Sequence, residues 1–130
     1  MDSEGLLLKV VVTAANVGER EGAKLLLADF KWRFPRLELV WVDGGFEGQP
    51  FADWVLDALG CRVEVTHPPA GVKGFVLIAH RWVVERTFAW LGKFRRLSKD
   101  YEVLPQSSES YIYAAMIHLM VRRLAKLSLV

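Results

Sequence analysis

Residues 80–102 read HRWVVERTFAWLGKFRRLSKDYE. Their spacing predicts one long helix, with Arg81, Glu85, Gly92 and Arg96 close to one face at intervals of three, four or seven. Val83, Val84, Trp90, Leu91, Phe94 and Leu97 supply a broad apolar flank that faces a core. Glu85 is then a carboxylate on an anchored helix, with basic Arg81 and small Ala89 four residues to either side. Such a group can face a cleft and hold a cation. It can equally pair with Arg81, a contact worth about 0.3–0.5 kcal/mol.

Upstream, Asp2-Ser-Glu-Gly5 is a turn signal. Residues 6–15, LLLKVVVTAA, are almost uninterruptedly apolar and predict a buried strand. A turn directly before a strand ordinarily joins it to an earlier strand, so the chain is expected to start within a hairpin. Residues 19–34 predict a helix with Ala23, Leu26, Leu27 and Phe30 on one stripe, stopped by Pro35. Residues 37–42, LELVWV, predict a strand that ends in Asp43-Gly44-Gly45. Residues 50–59 predict a second helix with Phe51, Trp54, Val55 and Leu59 inward and Gly60 as its stop. Residues 61–66 alternate as a strand does. A Pro/Gly loop over 67–74 and a short apolar piece over 75–78 lead to the central helix. After a polar linker, Ser107 is expected to cap a last helix over 108–126, with Ile112, Ala115, Met116, Leu119 and Met120 as its stripe. Strand, helix, strand, helix, strand, then helices is an α/β order with an at least partly parallel sheet.

The chain has 130 residues, which fits one domain spanning 1–130. At 52% hydrophobic residues with five Trp it can build a core, which a disordered tail could not. A net charge of +2 is too weak by itself to point to nucleic acid, but the cations are gathered: Lys93, Arg95, Arg96 and Lys99 in one group, Arg122, Arg123 and Lys126 in another. The single Cys61 excludes an internal disulfide framework and fits a reducing cytoplasm. His67, His80 and His118 are scattered, and no Cys/His group has zinc-ligand spacing. The first residues are acidic where a signal peptide would be basic. No apolar run approaches the roughly 18 residues needed to cross a membrane.

Two carboxylates stand out. Asp43 ends a predicted central strand, where sites form in α/β sheets, and Gly44-Gly45 lets the backbone turn sharply away from it. Glu85 lies on the central helix. Hard divalent ions take carboxylate oxygens with water and phosphate. Two such ions about 4 Å apart can activate a nucleophile and stabilise a leaving oxygen in phosphodiester cleavage. Two carboxylates are too few for that, and a third is needed. Asp-Gly-Gly is also a common turn after a strand, a basic run is commonly a solvated face, and Trp is commonly core. From spacing alone the reading stops at an α/β domain with an acidic site in prospect.

A resemblance extends it. RWVVERTFAWLGKFRRLSKDYE, residues 81–102, closely resembles the C-terminal signature of DDE-class insertion-sequence transposases of the insertion sequence 5 type, in which an R…ER-F-W…RRL-KDYE helix carries the last catalytic acid. VDGGF, residues 42–46, resembles the family's second acid motif. Residues 6–27 resemble its third strand and first helix, and residues 107–125 its closing helix. The resemblance implies a ribonuclease-H-like mixed sheet flanked by helices, and DNA transposition through DNA strand cleavage and strand transfer dependent on Mg²⁺ or Mn²⁺. It makes Asp43 and Glu85 metal ligands, places Arg81 on a DNA phosphate near the site, and sets Lys93, Arg95, Arg96 and Lys99 on the DNA backbone, a salt-sensitive contact. The implied partners are insertion-sequence ends and target DNA, with an upstream transposase segment or a second copy besides. The implied location is cytoplasmic, with the nucleoid.

One departure accompanies the match. In the family the first catalytic Asp lies on the first strand, whereas this chain starts in the turn after the second. The expectation is therefore an N-terminally truncated catalytic domain, with the first two strands and the first acid missing, inactive alone. Asp2 matches a turn residue, and counts as the third acid only if the hairpin carried it into the cleft. The competing reading is a non-catalytic DNA-binding or regulatory remnant that uses the same basic residues. A ribonuclease-H-like nuclease of another family fits the specific 81–102 string less well.

Overall fold

Residues 39–65 form a β–α–β unit. Strand β1, Leu39–Val42, and strand β2, Arg62–Val65, pair in parallel, Leu39 opposite Arg62 and Val42 opposite Val65. Parallel strands need a crossover, and helix α3, Gln49–Leu59, provides it. Pro50 stands in its first turn, where a missing N–H costs nothing. Gly60 closes it in the left-handed conformation, φ 71°, donating its N–H to the Leu56 carbonyl at 2.8 Å. Phe51, Val55 and Leu59 recur at intervals of four and are buried, Val55 completely. The two strands, this helix and its stop stand where the sequence pattern puts them, each trimmed or shifted by a residue or two.

The computed structural model describes residues 1–67, 71 and 80–129. The expected 75–78 piece and most of the 67–74 loop lie outside these residues. The chain divides into two units, Met1–Val12 with Val83–Val130, and Thr13–Trp82. The second holds the β–α–β unit, helix α1, Glu19–Leu27, and the short helix α2, Phe30–Arg33. A single helix over 19–34 is not what forms. Helix α1 ends at Leu27, Asp29 leaves helical geometry at φ −108°, ψ 7°, and its carbonyl starts the next turn by accepting from Trp32 and Arg33. Asp is a weak helix former in an interior because its short polar side chain competes for the backbone. Leu27 and Phe30 of the expected stripe are buried, and the chain leaves helix before Pro35 as expected.

Helix α4 spans Arg81–Leu91, and the first unit holds it from Val83 onward together with helix α5, Pro105–Ser128. The long helix over 80–102 is thus corrected. Gly92 still donates to the Phe88 carbonyl, but Lys93 and Phe94 donate to Trp90 and Leu91, three residues back, so the helix tightens and stops. Glycine's backbone entropy favours the break there. Arg95–Leu97 then make a separate 3-10 turn, so Arg96 does not continue the Arg81–Glu85 face. Helix α5 begins earlier than expected, with Pro105 in its first turn and Leu104 as N-cap. Ser107 caps nothing. Its stripe is as expected: Ala115 and Met116 are buried with Leu91, and Leu6, Leu7, Phe94, Leu97, Ile112, Leu119 and Met120 pack around them. A side chain of that size buried as Met116 is stabilises by about 1.5–3 kcal/mol.

The second correction concerns residues 6–15, which are not a strand. A strand needs a ladder, and among the described residues none lies beside this segment. Residues 6–12 are half-buried against α5, whose side chains take the place of a neighbouring strand. The Tyr113 hydroxyl accepts from Val10 N–H at 3.0 Å and donates to the Val10 carbonyl at 3.3 Å, and Glu109 accepts from Val12 N–H at 2.9 Å. At the start of the segment Asp2 is the expected turn residue, its carboxylate accepting from the N–H groups of Glu4 and Leu6 at 3.0 and 2.9 Å.

Candidate functional site

Asp43 follows β1 directly, at the carboxyl end of a parallel strand. Its backbone is extended, and its Oδ1 accepts from Gly45 N–H at 3.0 Å while its carbonyl accepts from Phe46 at 3.1 Å, so it caps a 3-10 turn over Gly44–Phe46. The turn role is real. It engages one carboxylate oxygen and leaves Oδ2 without a hydrogen bond from the described residues. A Cβ at Gly45 would stand 2.8 Å from Glu19 Oε2 and 3.2 Å from Asp43 Oδ1, so the Glu19 side chain would have to move to admit one. Glu19, in the first turn of α1, therefore shares one side of the Gly44–Phe46 turn with Asp43. The sequence places Glu19 only at the start of a predicted helix, and no local signal ties it to residue 43; the contact exists only once α1 is folded against the turn. Arg20 beside it donates to the Glu47 carbonyl at 2.6 Å, and His67 Nε2 lies 3.8 Å from Glu47 Oε1.

Glu85 is exposed on α4. The pair with Arg81 that the spacing allows is not made, and neither side chain has an ion pair among the described residues. His80, just before α4, is held at φ 66°, a conformation costly for a residue with a Cβ, and its ring stacks on Trp41 of β1 at 3.8 Å.

The expected basic group divides. Arg96 is committed: it pairs with Glu102, and its guanidinium lies 4.7 Å from the Tyr111 ring and 5.8 Å from the Tyr101 ring. Lys99 Nζ lies 5.0 Å from the Tyr101 ring. Asp100 accepts from Glu102 N–H at 3.1 Å and from the Ser108 hydroxyl at 2.8 Å, and these bonds, the backbone one first, hold its carboxyl below the usual carboxylate range. The KDYE residues thus build the corner between α4 and α5. Lys93 lies elsewhere, lining a groove with Arg122, Arg123 and Lys126. Arg95 is exposed in the 3-10 turn.

A family model described as the transposase DDE domain matches residues 1–120. The chain belongs to the transposase DDE domain family. No curated protein and no solved structure matches it. Membership brings DNA transposition as the general function, DNA as partner and a divalent metal as the family's usual cofactor. The α/β order and the parallel pair agree with such a domain. As donors, Asp43 and Glu85 are the hard oxygen ligands Mg²⁺ takes. Among the described residues, however, no group of three or more His, Cys, Asp or Glu stands together. Asp43 lies in one unit and Glu85 in the other. The transposase residues described fit a metal in donor type and fall short of it in number. No helix among them is long and apolar enough to cross a membrane.

Proposed function

We propose that this chain is the C-terminal part of a ribonuclease-H-like catalytic domain of the insertion sequence 5 type, working in metal-dependent DNA strand cleavage and strand transfer at insertion-sequence ends. The observation that carries the reading is the family match over residues 1–120 with an acid, Asp43, at the carboxyl end of a parallel strand. Asp43 and Glu85 are two of the metal ligands. Glu85 is available for this role because it holds no ion pair among the described residues, and Asp43 because one of its oxygens is unused by the turn. Mg²⁺ or Mn²⁺, when bound, supplies activation of the attacking oxygen and stabilisation of the leaving one. Two carboxylates are insufficient, so a third comes from a segment beyond these residues, and the chain alone does not cut. Arg81, Lys93, Arg95 and Lys99 hold the DNA backbone. Arg96 takes part in that only if its pair with Glu102 opens.

The test is nicking of duplex DNA in Mg²⁺ or Mn²⁺ by this chain, and by the chain joined to an upstream segment that carries an acid at the end of a strand. Cleavage by the longer protein only, abolished by Asp43→Asn or Glu85→Gln, is the expected result. Asp43→Asn keeps the acceptor that caps Gly45, so its loss of cutting reports the charge and not the turn. Cleavage surviving both substitutions removes the assignment. The second reading, a non-catalytic DNA-binding remnant, is favoured by the lack of a three-acid group among the described residues. DNA binding without cutting by either protein would decide for it.

A further inference from the structure

Helix α5 presents His118, Arg122 and Lys126 at successive intervals of four, with Leu119 and Arg123 alongside. Facing them are Lys93 and Phe94, just past the end of α4, Trp90 on α4, and Leu6. Together they line an open groove of about 430 Å³. Its cations are Lys93, Arg122, Arg123 and Lys126, and no carboxylate lines it. Glu4 lies 3.6 Å from Arg123 and offsets that one charge. Lys93, Arg122 and Lys126 are exposed. Four like charges with one counter-charge among the described residues repel one another, so this groove is set up for an anion from outside the chain.

We propose that this groove binds the sugar–phosphate backbone of DNA, as a contact separate from the Asp43 and Glu85 carboxylates; the proposal rests on the transposase reading. Three observations select backbone over base. Arg122 and Lys126 are separated by about 6 Å along the helix, at about 1.5 Å per residue. That spans about two steps of a strand rising about 3.4 Å per nucleotide. Trp90, the aromatic residue best suited to stacking on a base, is already engaged, with the Arg86 guanidinium 4.6 Å and the Arg123 guanidinium 5.4 Å from its ring. The remaining walls, Leu6, Leu119 and Phe94, offer no donor or acceptor to read a base edge, and the Phe94 ring meets His118 edge-on at 5.7 Å. Four cations beside one imidazole make positive charge the main feature for recognition, and such charge binds without regard to sequence.

The test is fluorescence anisotropy of two unrelated DNA duplexes with the wild-type chain, Arg122→Gln/Lys126→Gln and Arg122→Lys, over a series of salt concentrations. Each phosphate contact contributes about 0.9 to the slope of log affinity against log salt. The double variant should lower the slope by about 2 and weaken both duplexes equally, while Arg122→Lys keeps the wild-type slope. Both positions are exposed, and an unchanged circular dichroism melt shows that the fold is intact. If the wild type binds DNA and the double variant keeps its slope, the groove is not a DNA contact, and the transposase reading stands without it. If the wild-type chain binds neither duplex, the proposal and the DNA-binding part of that reading fall together. Weakening on one duplex only would overturn the backbone assignment in favour of base readout.

Discussion

Thr87 is 1% exposed, and its hydroxyl joins α4 to the beginning of the chain. Its Oγ1 donates to the Gly5 carbonyl at 2.7 Å and lies 3.1 Å from the Val83 carbonyl. A hydroxyl has one proton, and the shorter, cross-chain contact is the better placed for it. Thr87→Val keeps the shape and removes only the donor, so no cavity opens. The Gly5 carbonyl is then left without its partner, and it cannot readily swing to water, because Gly5 is buried and held at φ 84°. Stranding a buried acceptor costs about 1–3 kcal/mol. With about 2.1 cal/mol/K of unfolding entropy per residue, a chain of 130 residues should lose about 4–11 °C in Tm. If the two units unfold separately, the whole shift falls on the transition of the unit that contains residues 5 and 87. The assay is a thermal melt by calorimetry, with hydrogen exchange at the Leu6 amide as a local readout. Thr87→Ser is the control: it keeps the donor and loses one methyl, worth about 0.8 kcal/mol. A Thr87→Val protein that melts within about 1 °C of wild type, or above Thr87→Ser, would refute the idea that this hydroxyl anchors the N-terminal segment.

Gly60→Ala meets no atom within 4 Å of the added Cβ, yet must hold φ 71°; urea unfolding should show a loss of about 1–2 kcal/mol from conformational strain alone. Asp100 has a lowered folded pKa, so its stabilising contribution is fully present above the ordinary carboxylate range and is lost as pH falls through the lowered value. Melting curves taken from about pH 6 down to about pH 2 should therefore fall less steeply on the acid side in Asp100→Asn than in wild type, and equal slopes would contradict this.

The β–α–β unit could be read from the sequence because its signals are local. Alternation in Arg62–Val65, inward spacing of Phe51, Val55 and Leu59, and a glycine stop at residue 60 each act within a few residues. Asp43 was legible for the same reason: strand, acid and two glycines are contiguous. The failures are positions where a distant partner decides. Residues 6–15 have the composition of a buried strand, but composition cannot say whether a ladder partner or a helix will meet their backbone. The helix over 80–102 looked continuous because its apolar period runs on past Gly92, and only the hydrogen bonds show it tightening there. Arg96 reads as one of four equivalent cations until Glu102 and two tyrosines close around it. Glu19 with Asp43, and Lys93 with Arg122, join residues 24 or more apart in the chain, which no window on one segment contains.

The contacts of Tyr113 and Glu109 on Val10 and Val12 have a kinetic consequence. Tyr113 and Glu109 hold the Val10 and Val12 N–H groups, donors that an incoming strand would need. Strand addition at residues 10–12 must then proceed by exchange: the helix side chains let go first, and the new strand takes their places. Pairing there is gated by an intramolecular step whose rate does not rise with the concentration of the incoming strand, so at high concentration the speed of strand capture should level off at the rate of that release.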